Sequence, residues 1–121
     1  KLADLEKWEF TALQFQKDKD AELLKRINGM FRYVSFSFVN EQLNGGEKLT
    51  CVCTVNGTPF LDVNNAGQIN AGIDIINAIC TAKGVSAPIF VDNAESVNQI
   101  IPSLSQIIRL VVTTDKELTI K

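Results

Sequence analysis

Residues 64–92 constrain this chain more than any other stretch. In "NNAGQINAGIDIINAICTAKG", Ile69, Ile73, Ile76 and Cys80 form one helical stripe, widened by Ile75 and Ile79, and Gly84 supplies a stop. "APIFVD" follows, a short apolar run that ends abruptly on Asp92. A polar segment with a short helix over about 95–101, broken by Pro102, leads to "QIIRLVVTT", whose nearly continuous apolar run predicts a strand buried on both faces. "DKE" then turns the chain into a last predicted strand, "LTIK". Helix, strand, helix, strand in this order fits a right-handed parallel unit. Asp92 would fall at the carboxyl end of a central strand, where open α/β sheets bind ligands.

The upstream half reads differently. Residues 1–30 predict a helix, with no internal Gly or Pro before Gly29. Leu5, Trp8, Ala12 and Phe15 repeat at coiled-coil spacing for about two heptads. "QKDKDAE" interrupts the pattern before Leu23, Leu24, Ile27 and Met30 resume it as a packing helix, and an amphipathic surface helix would have the same pattern. Lys1 in place of a start methionine is what a cut fragment or a trimmed N-terminus would show. "FRYVSFSFV" sets Val34, Phe36 and Phe38 on one apolar face and "LTCVCTV" is a second strand. Asn44-Gly45-Gly46 between them is a turn composition, so the pair reads as an antiparallel hairpin, and "NGTPF" makes a further turn. The fold class is therefore mixed α/β.

Composition excludes several chemistries. The chain has 121 residues, 45% hydrophobic and 21% charged, which suits one globular domain. A net charge of −2 without a broad basic cluster argues against direct DNA binding by this piece. There is no histidine, so Ser-His-Asp and Cys-His catalysis within the chain are excluded. Cys51, Cys53 and Cys80 are odd in number and follow no secretory signal, which points to a reducing, cytoplasmic setting rather than a disulfide framework. Cys51 and Cys53 share a strand face, but without histidine or a CxxC pair they read as small buried apolar residues rather than metal ligands. No apolar stretch approaches the roughly 18 residues of a membrane helix.

Two places remain where ligand chemistry is conceivable. Asn64 and Asn65 are both good helix N-caps, so the opening of the isoleucine-rich helix presents free N–H groups beside two amides at the positive end of the helix dipole. A capped helix without a ligand reads the same way. Asp92 is the other place, an acid at a strand end with a further acid, Glu95, close behind.

Taken together these segments resemble the C-terminal lobe of an ABC-type ATPase head from the SMC, RecN and SbcC group of coiled-coil DNA-repair and chromosome-maintenance proteins. The resemblance spans nearly the whole chain, with residues 1–30 as the end of a returning coiled coil and 31–121 as the C-terminal ATPase lobe. It is similar to a branch found in bacteriophages and mobile elements. The family's LSGGQ signature is matched by "NNAGQ" at Gly67 and Gln68, with Asn65 in place of the serine and Ala66 in place of the first glycine. The resemblance implies that Asn64, Asn65, Ala66, Gly67 and Gln68 contact the γ-phosphate of ATP across a head dimer, and that Asp92 holds Mg²⁺ directly or through water. The residue after that acid is normally a glutamate that positions water. Here it is Asn93, which cannot act as a general base, and Glu95 is the candidate substitute. Thr114 stands where the family has its switch histidine, and 94–98 occupies the loop that contacts the opposite subunit.

The implied partners are an N-terminal P-loop lobe, a second head and, indirectly, DNA; no membrane is implied. The chain has no GxxxxGK[ST], so alone it should not turn over ATP. Two other readings compete with an ATPase half: a non-catalytic dimerisation or interaction module on the same scaffold, and a small α+β domain unrelated to ATPases.

Overall fold

The computed structural model describes residues 1–43 and 46–120, and the side chains among them other than those of 41–47. It is mixed α/β, with a long N-terminal helix, a small antiparallel sheet and a two-stranded parallel sheet. The helix α1 runs Leu2–Asn28. "QKDKDAE" interrupts the apolar pattern but not the helix, because Gln14 donates to Asp18, Gln16 to Asp20 and Arg26 to Glu22, all one turn apart. Asp4 near its start and Lys25 and Arg26 in its last turn complement the helix dipole. No residue of α1 is buried, so the packing role expected of its second half is confined to half-buried Leu24, Ile27 and Asn28 at its end.

Strands β1 (Val34–Leu43) and β2 (Gly46–Val55) form the expected hairpin, with Val34 opposite Val55, Phe36 opposite Cys53 and Phe38 opposite Cys51. The expected turn at Asn44-Gly45-Gly46 lies outside the described residues at Asn44 and Gly45. A tight turn at Asn56-Gly57 adds β3 (Thr58–Pro59), and a 3-10 turn at Phe60–Asp62 leads to helix α2 (Asn65–Lys83). Gly84 ends α2 at φ 64°, where a side chain would be strained, and its N–H and that of Val85 return to the last turn's carbonyls.

Helix α2 lies between the two sheets and belongs to both apolar clusters. On one side Ala71 packs with Val34 and Val55, bordered by Phe31, Phe36, Phe60 and Ile75. On the other Ile73 packs with Ile89, Val91 and Ala94, bordered by Ile69, Ile100, Ile101 and Ile107. The buried face differs from the expected isoleucine stripe. It includes Gly67, Asn70, Ala71, Ile73, Asp74 and Ala78, whereas Ile76 and Ile79 are exposed. Small residues let the helix approach its neighbours closely, and the two buried polar side chains are hydrogen-bonded across the interfaces, which offsets their desolvation.

Strands β4 (Ile89–Val91) and β5 (Ile107–Arg109) pair in parallel, as the element order predicts. Several expectations fail here. The short helix over 95–101 is a 3-10 turn at Ala94–Ser96 followed by irregular chain. The strand predicted through Thr114 stops at Arg109, and no strand forms at 118–120. Nor is this region buried on both faces, since Phe90 is 66% exposed and Val112 85% exposed. Asp92 does follow the last residue of β4, but among the described residues β4 has a neighbour on one edge only. With one neighbouring strand and one covering layer, the remaining apolar residues have nothing here against which to pair or pack. The cysteines also depart from expectation: Cys51 is exposed, and Cys53 and Cys80 are only half-buried.

Candidate functional site

Asn64 caps α2 as expected, its Oδ1 accepting the N–H of Gly67 at 2.8 Å. This leaves the N–H groups of Asn65 and Ala66, in the first turn, without an intrahelical acceptor. Gly67 has a packing reason here: a Cβ at this position would fall well inside van der Waals contact with Val63 Cγ1 and lie 3.2 Å from Asn64 Oδ1. Gln68 is committed to the fold, donating from Nε2 to the carbonyl of Phe60 at 3.1 Å.

The acid end of β4 is a closed loop. Asp92 is exposed and its Oδ1 accepts the N–H of Asn93 at 2.9 Å. Asn93 adopts a left-handed backbone, φ 54° and ψ 38°, which asparagine tolerates better than most residues. Its carbonyl accepts from both the N–H of Ser96, at 3.1 Å, and Ser96 Oγ, at 2.8 Å. From below, the Ala94 N–H donates to Leu110 O at 3.1 Å and Arg109 Nη2 donates to Ala94 O at 3.2 Å. The loop's curvature is thus set by Ser96 within it and by the end of β5 beneath it.

These two features meet. Asn65 Nδ2 donates to Ser96 Oγ at 2.6 Å, so a chain of two hydrogen bonds runs from the opening of α2 through Ser96 to the residue after Asp92. One N–H of the Asn65 amide is spent on this link and one remains. Asn65 and Asn93, and with Asn93 the neighbouring acids Asp92 and Glu95, therefore share one rim. Thr114 is not tied to it: it sits exposed in irregular chain beyond β5, with no bond to this loop. Ser96 and Arg109 are the members that sequence reasoning missed. A serine closing a tight loop and an arginine in a short strand carry no signal that separates them from ordinary residues.

An open hollow of about 480 Å³ lies on another side of the α2 opening, lined by Tyr33, Asn56, Asp62, Asn64, Gly67 and Asn70. Asp62 borders this hollow as Asp92 and Glu95 border the Asn65 and Ser96 side, so either approach to the α2 opening presents carboxylate charge to an anion. No group of three or more metal-ligating side chains occurs among the described residues. A lone Asp92 is compatible with a Mg²⁺ held mainly by phosphate oxygens and water, and with no metal bound by this chain unaided. Among the described residues no helix is long and apolar enough to cross a membrane. Comparison with known proteins finds no matching family model, no matching curated protein and no matching solved structure.

Proposed function

We propose that this chain is the C-terminal lobe of an ABC-type, SMC-like ATPase head that works with an N-terminal P-loop lobe in a DNA-associated, coiled-coil assembly. The observation that carries the reading is the Asn65 to Ser96 to Asn93 chain of hydrogen bonds, which draws the amide-capped opening of α2 and the acid end of β4 onto one rim. A second feature supports it. Phe90, Val111 and Val112 are exposed on and after the parallel strands, and Leu118 and Ile120 are each 96% exposed, apolar residues that a P-loop lobe would cover.

In this reading the chain's own residues have limited roles. Asp92 would hold Mg²⁺, directly or through water, and the metal supplies charge neutralisation to the phosphoryl group being transferred. The remaining Asn65 N–H and the backbone N–H groups of Asn65 and Ala66 would orient phosphate from the opposite head. Asn93 can orient a water through its amide but cannot take its proton, and Glu95 would be the substitute carboxylate for that step. The test is ATP turnover by this lobe joined to its P-loop lobe. Asp92→Ala should lower turnover by roughly a hundredfold or more, the scale for one preorganised electrostatic group. Asn65→Ala should abolish ATP-dependent association of heads. Turnover unchanged by Asp92→Ala would remove the acid from the site.

One observation favours a non-catalytic module on the same scaffold. The residue after Asp92 carries a side-chain amide, which cannot take a proton from water, and its backbone N–H and C=O are both spent within the loop. ATP-dependent association without turnover, insensitive to Glu95→Gln, would select that reading.

A further inference from the structure

The direction in which α1 leaves the lobe is not set by apolar burial, since none of its residues is buried. Two polar side chains hold the corner between α1 and β1 instead. Asn28, the last residue of α1, donates from Nδ2 to Phe36 O at 2.9 Å and accepts Phe36 N–H on Oδ1 at 2.7 Å, imitating an adjoining strand. Asp74, in the middle of α2 and only 4% exposed, accepts three successive backbone N–H groups: Arg32 at 3.0 Å, Tyr33 at 2.6 Å and Val34 at 3.0 Å. Consecutive N–H groups converging on one anion form a backbone nest, and here the occupant is a carboxylate from a helix some forty residues away in sequence. Such bonds are charge-assisted and directional, so they fix an angle where an apolar contact would allow sliding. The path from α2 to α1 then runs through residues 32–34 and the start of β1, which α1 packs against.

We propose that Asp74 is a latch that fixes α1 to α2, so that the long helix and the helix that opens onto the candidate site turn as one lever. The proposal goes beyond the ATPase reading and does not depend on what binds at that opening.

The test is a distance measurement by pulsed electron paramagnetic resonance between labels at exposed Lys7 on α1 and exposed Lys83 on α2, with the native cysteines replaced by serine. Amide exchange is followed in the same variants. The unaltered latch should give one narrow distance distribution. Asp74→Asn, nearly isosteric, removes the charge and leaves a single acceptor oxygen, so the bonds to the three N–H groups are no longer charge-assisted and it should broaden the distribution. Exchange at Arg32, Tyr33 and Val34 should rise at least roughly tenfold, while exchange at the Phe36 to Cys53 pairing stays unchanged. Asp74→Ala should do the same, and if it does not fold, Asp74→Asn alone decides. A distribution equally narrow in Asp74→Asn, or broadening accompanied by faster exchange throughout the hairpin, would overturn the latch.

Discussion

Replacing Gly67 with alanine separates two explanations for the glycine in "NNAGQ". Gly67 is the third residue of α2, and at an ordinary helical position alanine would be preferred by roughly 0.5–1 kcal/mol. Here the new methyl would press into Val63 Cγ1 and crowd the Asn64 oxygen that caps the helix. Overpacking of this kind costs about 1–3 kcal/mol, so Gly67→Ala should destabilise by about 1 kcal/mol net. In a Val63→Ala background the severe obstacle is gone and only the milder 3.2 Å approach to Asn64 Oδ1 remains. The sign should then reverse, with Gly67→Ala stabilising by roughly 0.5 kcal/mol and a coupling between the two positions of about 1–2 kcal/mol.

Urea unfolding followed by far-ultraviolet circular dichroism reads this directly. With a slope of about 2 kcal/mol per molar, the midpoint should fall by roughly 0.5 M in Gly67→Ala and rise slightly when the substitution is made on Val63→Ala. A Gly67→Ala chain more stable than its parent in both backgrounds would refute the packing argument. The glycine would then have no structural reason here, and close approach of a ligand to the α2 backbone would become its better explanation.

Two further outcomes follow from the same geometry. Asn70 donates to Gln99 O and accepts from Ile101 N–H, each at 3.0 Å, so Asn70→Ala should cost roughly 1–3 kcal/mol. Most of that comes from the stranded Ile101 N–H, because Gln99 is exposed and its carbonyl can turn to water; a urea midpoint within error of the parent's would contradict this. Burial and then the neighbouring Cys51 thiolate hold the Cys53 thiol above its usual range, so its reactive thiolate forms at higher pH. Alkylation near about pH 8 should therefore modify exposed Cys51 first, with the gap narrowing as pH rises, and equal rates throughout would show that burial does not protect Cys53.

The elements legible in the sequence were those whose signal is local. The alternation of Val34, Phe36 and Phe38 gave the hairpin, the Asn64 cap and Gly84 stop bracketed α2, and the apolar run before Asp92 gave β4. The failures are where burial depends on what else is present. "QIIRLVVTT" has the composition of a fully covered strand, but in this chain it has one neighbouring strand and stays open after Arg109. The buried face of α2 departs from the isoleucine stripe for a different reason. Counting isoleucines ranks Ile76 and Ile79 above Asn70 and Asp74, whereas the fold buries the two polar residues because each meets backbone partners from a distant segment. Nothing in a hydrophobic pattern encodes those partners. Of the candidate site, Asn65, Asp92 and Asn93 were legible by position, Ser96 was not, and Thr114 lies apart from them.

The polar side chains of α2 explain how so thin a core can hold one arrangement. Buried apolar contact comes from two small clusters, which by themselves would tolerate rotation or sliding of the helix between its sheets. Along its length α2 is pinned to five other segments, each by a different side chain: Asn65 to Ser96, Gln68 to Phe60, Asn70 to Gln99 and Ile101, Asp74 to residues 32–34, and Asn77 to Pro102 and Ser103. A shift of one residue in register would leave most of these donors and acceptors unmatched at once, at a cost that apolar slippage does not carry. The helix is therefore positioned by hydrogen bonds and stabilised by burial. That division of labour suits a helix whose first turn meets the loop after β4, because apolar packing alone would not fix the Asn65 to Ser96 contact at 2.6 Å.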